Sequence, residues 1–171
     1  MRIKIDKLII CALLCAVISV SSQIIIPIGV VPISLATLSV MICGGVLGTK
    51  YGITATILYI LIGAIGVPVF SGLRGGISFL FGPTGGYIIG YLFIAGLSGV
   101  AFSKRRKAAL NVMILCLSNI ICYIVGTFWY ILITKTELFV AISVCVLPFI
   151  VGDVVKIAIA YSVIVRIKKQ I

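Results

Sequence analysis

"LFVAISVCVLPFIVGDVVKIAIAYSVIV", residues 138–165, carries two charged side chains, Asp153 and Lys156, in a run that is otherwise almost wholly apolar. A helix needs about 20 apolar residues to cross roughly 30 Å of hydrocarbon, so this run is long enough to span a bilayer. The composition of the whole chain points the same way, with 63% hydrophobic residues, 10% charged residues and a mean hydropathy of +1.40. A soluble chain of 171 residues would need a shell of Lys, Glu and Asp, yet Asp6, Glu137 and Asp153 are its three acidic side chains. The fold class is therefore read as an all-α integral membrane protein, one domain over residues 1–171.

Proline, glycine and charged residues divide the chain into six apolar stretches. The predicted transmembrane helices cover about 8–26, 33–47, 51–65, 84–102, 110–133 and 138–165. The second and third are short for a full span and rich in glycine, which favours tilting, breaks or re-entrant ends.

The net charge of +11 could suggest nucleic acid, but its placement argues for a membrane surface. With six helices, eleven basic residues fall on one side: Arg2, Lys4, Lys7, Lys50, Lys104, Arg105, Arg106, Lys107, Arg166, Lys168 and Lys169. Arg74 and Lys135 fall on the other, and Lys156 lies within the last helix. By the positive-inside rule the crowded side is cytoplasmic, which puts both termini inside and makes the "KRRK" run at 104–107 a topology anchor against anionic headgroups of the lipid bilayer. No nucleic-acid partner is expected. The first 22 residues imitate a secretory signal, with a basic start, an apolar middle and small residues in "SVSS". Removing them would leave an odd number of spans and spoil the charge pattern, so they are expected to stay as the first helix.

The six cysteines, Cys11, Cys15, Cys43, Cys116, Cys122 and Cys145, lie in apolar stretches, with no C-x-x-C and no histidine to complete a metal site. They read as small buried hydrophobes, with no metal or cofactor expected. One intramembrane carboxylate and no histidine give neither a Ser/His/Asp set, nor a Cys/His pair, nor a two-carboxylate acid/base site. There is no Walker phosphate loop either. The chain is not expected to be an enzyme, which leaves binding or transport.

An aspartate or a lysine at the bilayer centre costs roughly 2.5–3.5 kcal/mol on insertion scales, so something must offset Asp153 and Lys156. At i, i+3 they share a helix face, where they can neutralise each other or grip one ligand jointly. Both readings stand at this point: an ion pair that orients the helix, or a polar ligand site facing the bundle interior. A carboxylate supplies acceptors and an ammonium supplies donors, which together suit a group presenting N–H and C=O side by side, such as a ureido or amide.

The second unusual stretch is "GAIGVPVFSGLRGGISFLFGPTGGYIIGY", residues 63–91. Its glycines allow close backbone approach and positive φ, and Pro68 and Pro83 interrupt helix. A solvated linker would expose Val69, Phe70, Ile77, Phe79, Leu80 and Phe81, so a structured loop over the bundle mouth is predicted between the third and fourth helices. Its one charged residue, Arg74, falls on the non-cytoplasmic side and could offer a fork of donors to a carboxylate.

Taken in order, "IGVVPISLATL", "GAIGVPVFSG", "GPTGGYIIGY" and "GDVVK" resemble the BioY family over nearly the whole chain. That family consists of biotin-specific substrate-capture subunits of energy-coupling factor (ECF) transporters. The resemblance implies a multi-pass protein of a prokaryotic cell membrane that binds biotin from outside. Its further implied partners are a transmembrane coupling subunit and two ATPase subunits. It also implies that Asp153 and Lys156 face the biotin ring system. The glycine-rich loop would lie near the valerate tail, pointing to Gly72, Arg74, Gly75 and the aromatic residues around them, Phe70 and Tyr87. Small residues on the first helix at A-x-x-x-A spacing, Ala12 and Ala16, match the family's docking face for the coupling subunit. The alternatives weighed are a secondary carrier using Asp153 as a titrating group, an ECF subunit for another vitamin-like solute, and a structural membrane subunit without small-molecule affinity.

Overall fold

The computed structural model describes residues 2–26, 31–104 and 107–170, with side chains from Ile9 onward. Arg105 and Arg106, and the side chains of Arg2, Lys4 and Lys7, all counted in the charge argument, lie outside the described residues, as does the start of the "IGVVPISLATL" motif. The chain runs α1 (Arg2–Ser21), β1 (Ile25–Ile26), β2 (Ile33–Ser34), α2 (Ala36–Leu47), α3 (Thr49–Ala64), α4 (Ile77–Leu80), α5 (Gly85–Ala101), α6 (Ala108–Thr134), α7 (Leu138–Cys145) and α8 (Leu147–Lys168).

Many large apolar side chains face outward, and small residues are common where the helices meet. Phe139 and Val151 are 83% and 77% exposed, whereas Cys11, Ala36, Ala95 and Ala160 are fully buried. Lipid tails give no hydrophobic reason to hide a phenylalanine, so helices in a bilayer meet along their small residues instead. α5 runs at the centre, against α6 on one side and α2 and α3 on the other. A Cβ at Gly44 would strike the backbone of Ala95, and one at Gly126 would enter the ring of Tyr87. These glycines set how closely α2 and α6 approach α5. At the far end Lys168 Nζ donates to the Phe102 carbonyl at 2.6 Å, satisfying an acceptor where α5 stops.

Among the described residues, two helical segments, 108–134 and 138–168, are long and apolar enough to cross a membrane, with mean hydropathies of 2.2 and 2.5. Ala36–Leu47, Thr49–Ala64 and Gly85–Ala101 are apolar but shorter, and the part of α1 whose side chains are described, Ile9–Ser21, is apolar as well. The expected brevity of the second and third helices is therefore found.

Three local expectations are corrected. The first helix, predicted to reach residue 26, ends at Ser21, and the second starts at Ala36 instead of residue 33. Ile25 and Ile26 pair antiparallel with Ser34 and Ile33, and Leu35 N–H bonds the Ile24 carbonyl, so a hairpin takes the backbone groups a helix would have used. The last helix is not continuous: the backbone turns out of helical geometry at Val146 (φ −124°, ψ −55°). Pro148, in the first turn of α8, has no N–H to donate to the carbonyl four residues before it, and its ring crowds that position. The loop between α3 and α5 is structured as expected, and it contains the unforeseen helical turn α4.

Candidate functional site

Asp153 and Lys156 of α8 point into the bundle. Lys156 Nζ lies 2.9 Å from Asp153 Oδ1, and both side chains are nearly inaccessible, at 7% and 6% exposure. Each has a second partner on another helix. Tyr123 of α6 donates its hydroxyl to Asp153 Oδ2, and Lys156 Nζ donates to Thr37 Oγ1 of α2 at 3.2 Å. Three helices thus meet at one ion pair.

An ammonium has three hydrogens, and two are spent here, on Asp153 and Thr37. A carboxylate offers about four lone-pair sites, of which Lys156 and Tyr123 occupy two. The pair therefore keeps one donor and two acceptor sites. A chamber of about 30 Å³ opens beside it, lined by Tyr87, Tyr91, Asn119 and Phe149, with Val31 and Pro32 at its edge. A second space of about 30 Å³ shares Val31, Pro32, Tyr87 and Tyr91 and continues to Ser71, Phe79 and Thr84 of the loop. Each holds about one water molecule. A larger ligand requires the residues lining these spaces to rearrange.

Tyr87 walls both spaces with its ring, which stacks on Phe149 at 6.3 Å. Its hydroxyl is already engaged, donating to the Cys145 carbonyl at 3.0 Å and lying 3.1 Å from Thr127 Oγ1. The hydroxyl hydrogen is therefore spent, and toward the inner spaces Tyr87 offers chiefly its ring face. Phe70 is fully buried, edge-on to Tyr59 and stacked on Phe79, each at 5.5 Å, and seated over Gly63. Between Phe70 and Arg74 the backbone closes on itself, Phe70 N–H to Arg74 O at 2.8 Å and Arg74 N–H to Phe70 O at 3.3 Å. That turn requires positive φ at Gly72 (78°) and Leu73 (55°). A Cβ at Gly75 would strike the Val67 carbonyl. Gly72 and Gly75 thus shape the loop.

Arg74 is exposed, its guanidinium 5.9 Å from the Phe79 ring centroid. It lines an outer basin of about 540 Å³ together with Ser78, Phe79 and Thr84. Phe79 and Thr84 stand between this basin and the inner spaces. Arg74 is therefore not brought to the Asp153–Lys156 pair, which sits deeper in the bundle. On α1, Ala12 and Ala16 lie on the exposed face, opposite the buried Cys11, Cys15 and Ile18.

Sequence reasoning missed Tyr123, Thr37 and Gln23. Gln23 Oε1 accepts from Leu73 N–H at 2.8 Å, and its Nε2 donates to the carbonyls of Val69 at 3.0 Å and Phe70 at 3.2 Å. Beside it Ser22 donates to the same Val69 carbonyl. The end of α1 thereby holds the loop. An amide at the end of an apolar helix was the available signal.

The BioY family model matches residues 1–171. The chain is 37% identical to a probable biotin transporter BioY of Pyrococcus horikoshii, over 92% of this chain and 93% of that protein. It is 36% identical to the biotin transporter BioY of Thermotoga maritima, over 90% of each. The crystal structure of the S-component for biotin from an ECF-type ABC transporter superposes with a TM-score of 0.91, at 30% identity, covering 99% of this chain and 94% of that one. By the family match over its whole length, and by the relatives and fold that agree with it, this chain belongs to the BioY family.

Proposed function

We propose that this protein captures biotin at the cell membrane and serves as the substrate-specific subunit of an ECF-type transporter. The observation that carries this reading is the buried Asp153–Lys156 pair, which keeps one donor and two acceptor sites beside an internal chamber. A ureido ring is the complement of that set: its N–H donates to Asp153 and its carbonyl accepts from Lys156. The aromatic walls of Tyr87, Tyr91 and Phe149 suit the apolar bicycle. The tail carboxylate extends toward the loop, where Arg74 is the nearest cation in the sequence. Relatives named as biotin transporters and a solved biotin S-component support the choice of ligand.

In this reading six segments lie in the bilayer with both termini cytoplasmic, and the hairpin and loop close the chamber from outside. The exposed Ala12–Ala16 face meets a transmembrane coupling subunit, itself driven by two ATPase subunits. Equilibrium binding of labelled biotin to the purified chain in detergent tests the proposal. Saturable binding displaced by unlabelled biotin is expected, and no saturable binding would overturn it.

A further inference from the structure

A groove of about 690 Å³ runs along the outside of the bundle between α6 and α7–α8. Its walls are apolar side chains such as Ile120, Ile124, Phe128, Ile142 and Val154, so in a bilayer it is filled by hydrocarbon. Asn119, Tyr123 and Asp153 line both this groove and the inner chamber. The buried carboxylate therefore stands in the partition between ligand space and lipid. Half-buried Tyr123 is the side chain that donates to it from the adjacent helix.

We propose that Tyr123 is a positioning residue for the ligand site, its hydroxyl fixing the Asp153 carboxylate so that the remaining acceptor sites face the chamber and not the groove. The proposal rests on the reading that the chamber takes a ureido group. Asp153 Oδ1 is held by Lys156 along the same helix, which leaves Oδ2 to be fixed from elsewhere. Without the hydroxyl, Oδ2 loses its donor in a partition that borders an apolar groove, a situation that costs free energy unless another donor is recruited. The donor within reach is Lys156, already 2.9 Å from the carboxylate. A carboxylate that rotates to share the ammonium between both oxygens claims the hydrogen a ligand carbonyl would accept. The loss then falls on binding more than on folding, because the pair remains neutralised.

Y123F keeps the ring in the partition and removes the donor. In the full-length chain in detergent, biotin affinity is expected to fall about 10-fold, the typical effect of one hydrogen bond to a charged group. The melting temperature of the ligand-free protein should stay near wild type. A direct readout is available because Asp6, Glu137 and Asp153 are the three acidic side chains. The carboxylate stretching band lost in D153N identifies Asp153, and in Y123F that band is expected to shift in the ligand-free protein. If Y123F does not fold, Y123M fills the partition without a donor and is read the same way. An unshifted band, or an affinity within twofold of wild type, overturns the proposal. Wild-type protein that binds no biotin at all would sink the ligand reading instead, and the band would then decide alone whether Tyr123 holds Asp153.

Discussion

Lys156 of α8 donates to Thr37 of α2 at 3.2 Å, a bond between residues 119 positions apart in the chain. It ties the helix that carries the charges to the helix that follows the hairpin. Thr37→Val keeps the shape and removes the acceptor, leaving an ammonium hydrogen unsatisfied in a buried place. Such a loss costs about 1–3 kcal/mol. The ligand-free variant is therefore expected to melt below wild type, while Thr37→Ser melts near it. Equal melting temperatures for the Val and Ser variants would show that the bond contributes nothing.

The loop depends on a seat in α3. Phe70 lies over Gly63, where any Cβ would enter its ring, and it fills the space between Tyr59 and Phe79. Gly63→Ala forces a buried aromatic ring to shift, and overpacking of this kind costs about 1–3 kcal/mol. Because Phe79 also lines the path from the outer basin to the inner chamber, the displaced loop should release biotin faster than wild type. Stopped-flow dissociation in the two proteins measures this. Unchanged release would mean that Phe70 holds the fold but not the loop's closure.

The parts of this arrangement that were legible in the sequence are those whose signal is local. Asp153 and Lys156 stood out because two charges in an apolar run need an explanation, and their i, i+3 spacing placed them on one face. The loop stood out because glycine and proline were interleaved with phenylalanine. Thr37, Tyr123 and Gln23 did not stand out, since a hydroxyl or an amide in or just beyond a membrane helix has many roles and only packing between distant segments selects one. Arg74 did stand out, as the one charge in the loop; it lines an outer basin that Phe79 and Thr84 separate from the inner spaces, and its contact with a ligand carboxylate stands as a proposal. The hairpin was hidden for another reason, its two-residue strands being too short to impose an alternating pattern.

The exposed face of α1 gives a prediction about coupling. Ala12 and Ala16 lie one turn apart on that face, away from the inner chamber. Small residues at this spacing let a partner helix approach closely, and two leucines would hold it off. A12L/A16L is expected to abolish ATP-driven biotin uptake in cells that carry the coupling subunit and ATPases, with unchanged biotin affinity in the isolated chain. Loss of affinity in the isolated double variant would instead assign α1 a part in the ligand site.

The buried pair itself separates a ligand site from a structural device. If Asp153 accepts from a ureido N–H and Lys156 donates to the carbonyl, removing either charge breaks a contact with the ligand and strands the surviving partner in a dry place. Losses of this kind typically cost about 2–5 kcal/mol, so Asp153→Asn and Lys156→Met should each weaken biotin binding by at least ~30-fold. Arg74→Ala should cost less, because that side chain is exposed and water competes for any carboxylate it holds. A pair that only orients α8 predicts the opposite pattern. Both helix variants would then express poorly, yet the fraction that folds would bind biotin as wild type does. Titration calorimetry on the monodisperse fraction of each variant distinguishes the two, and near wild-type affinity in either α8 variant would defeat the joint grip.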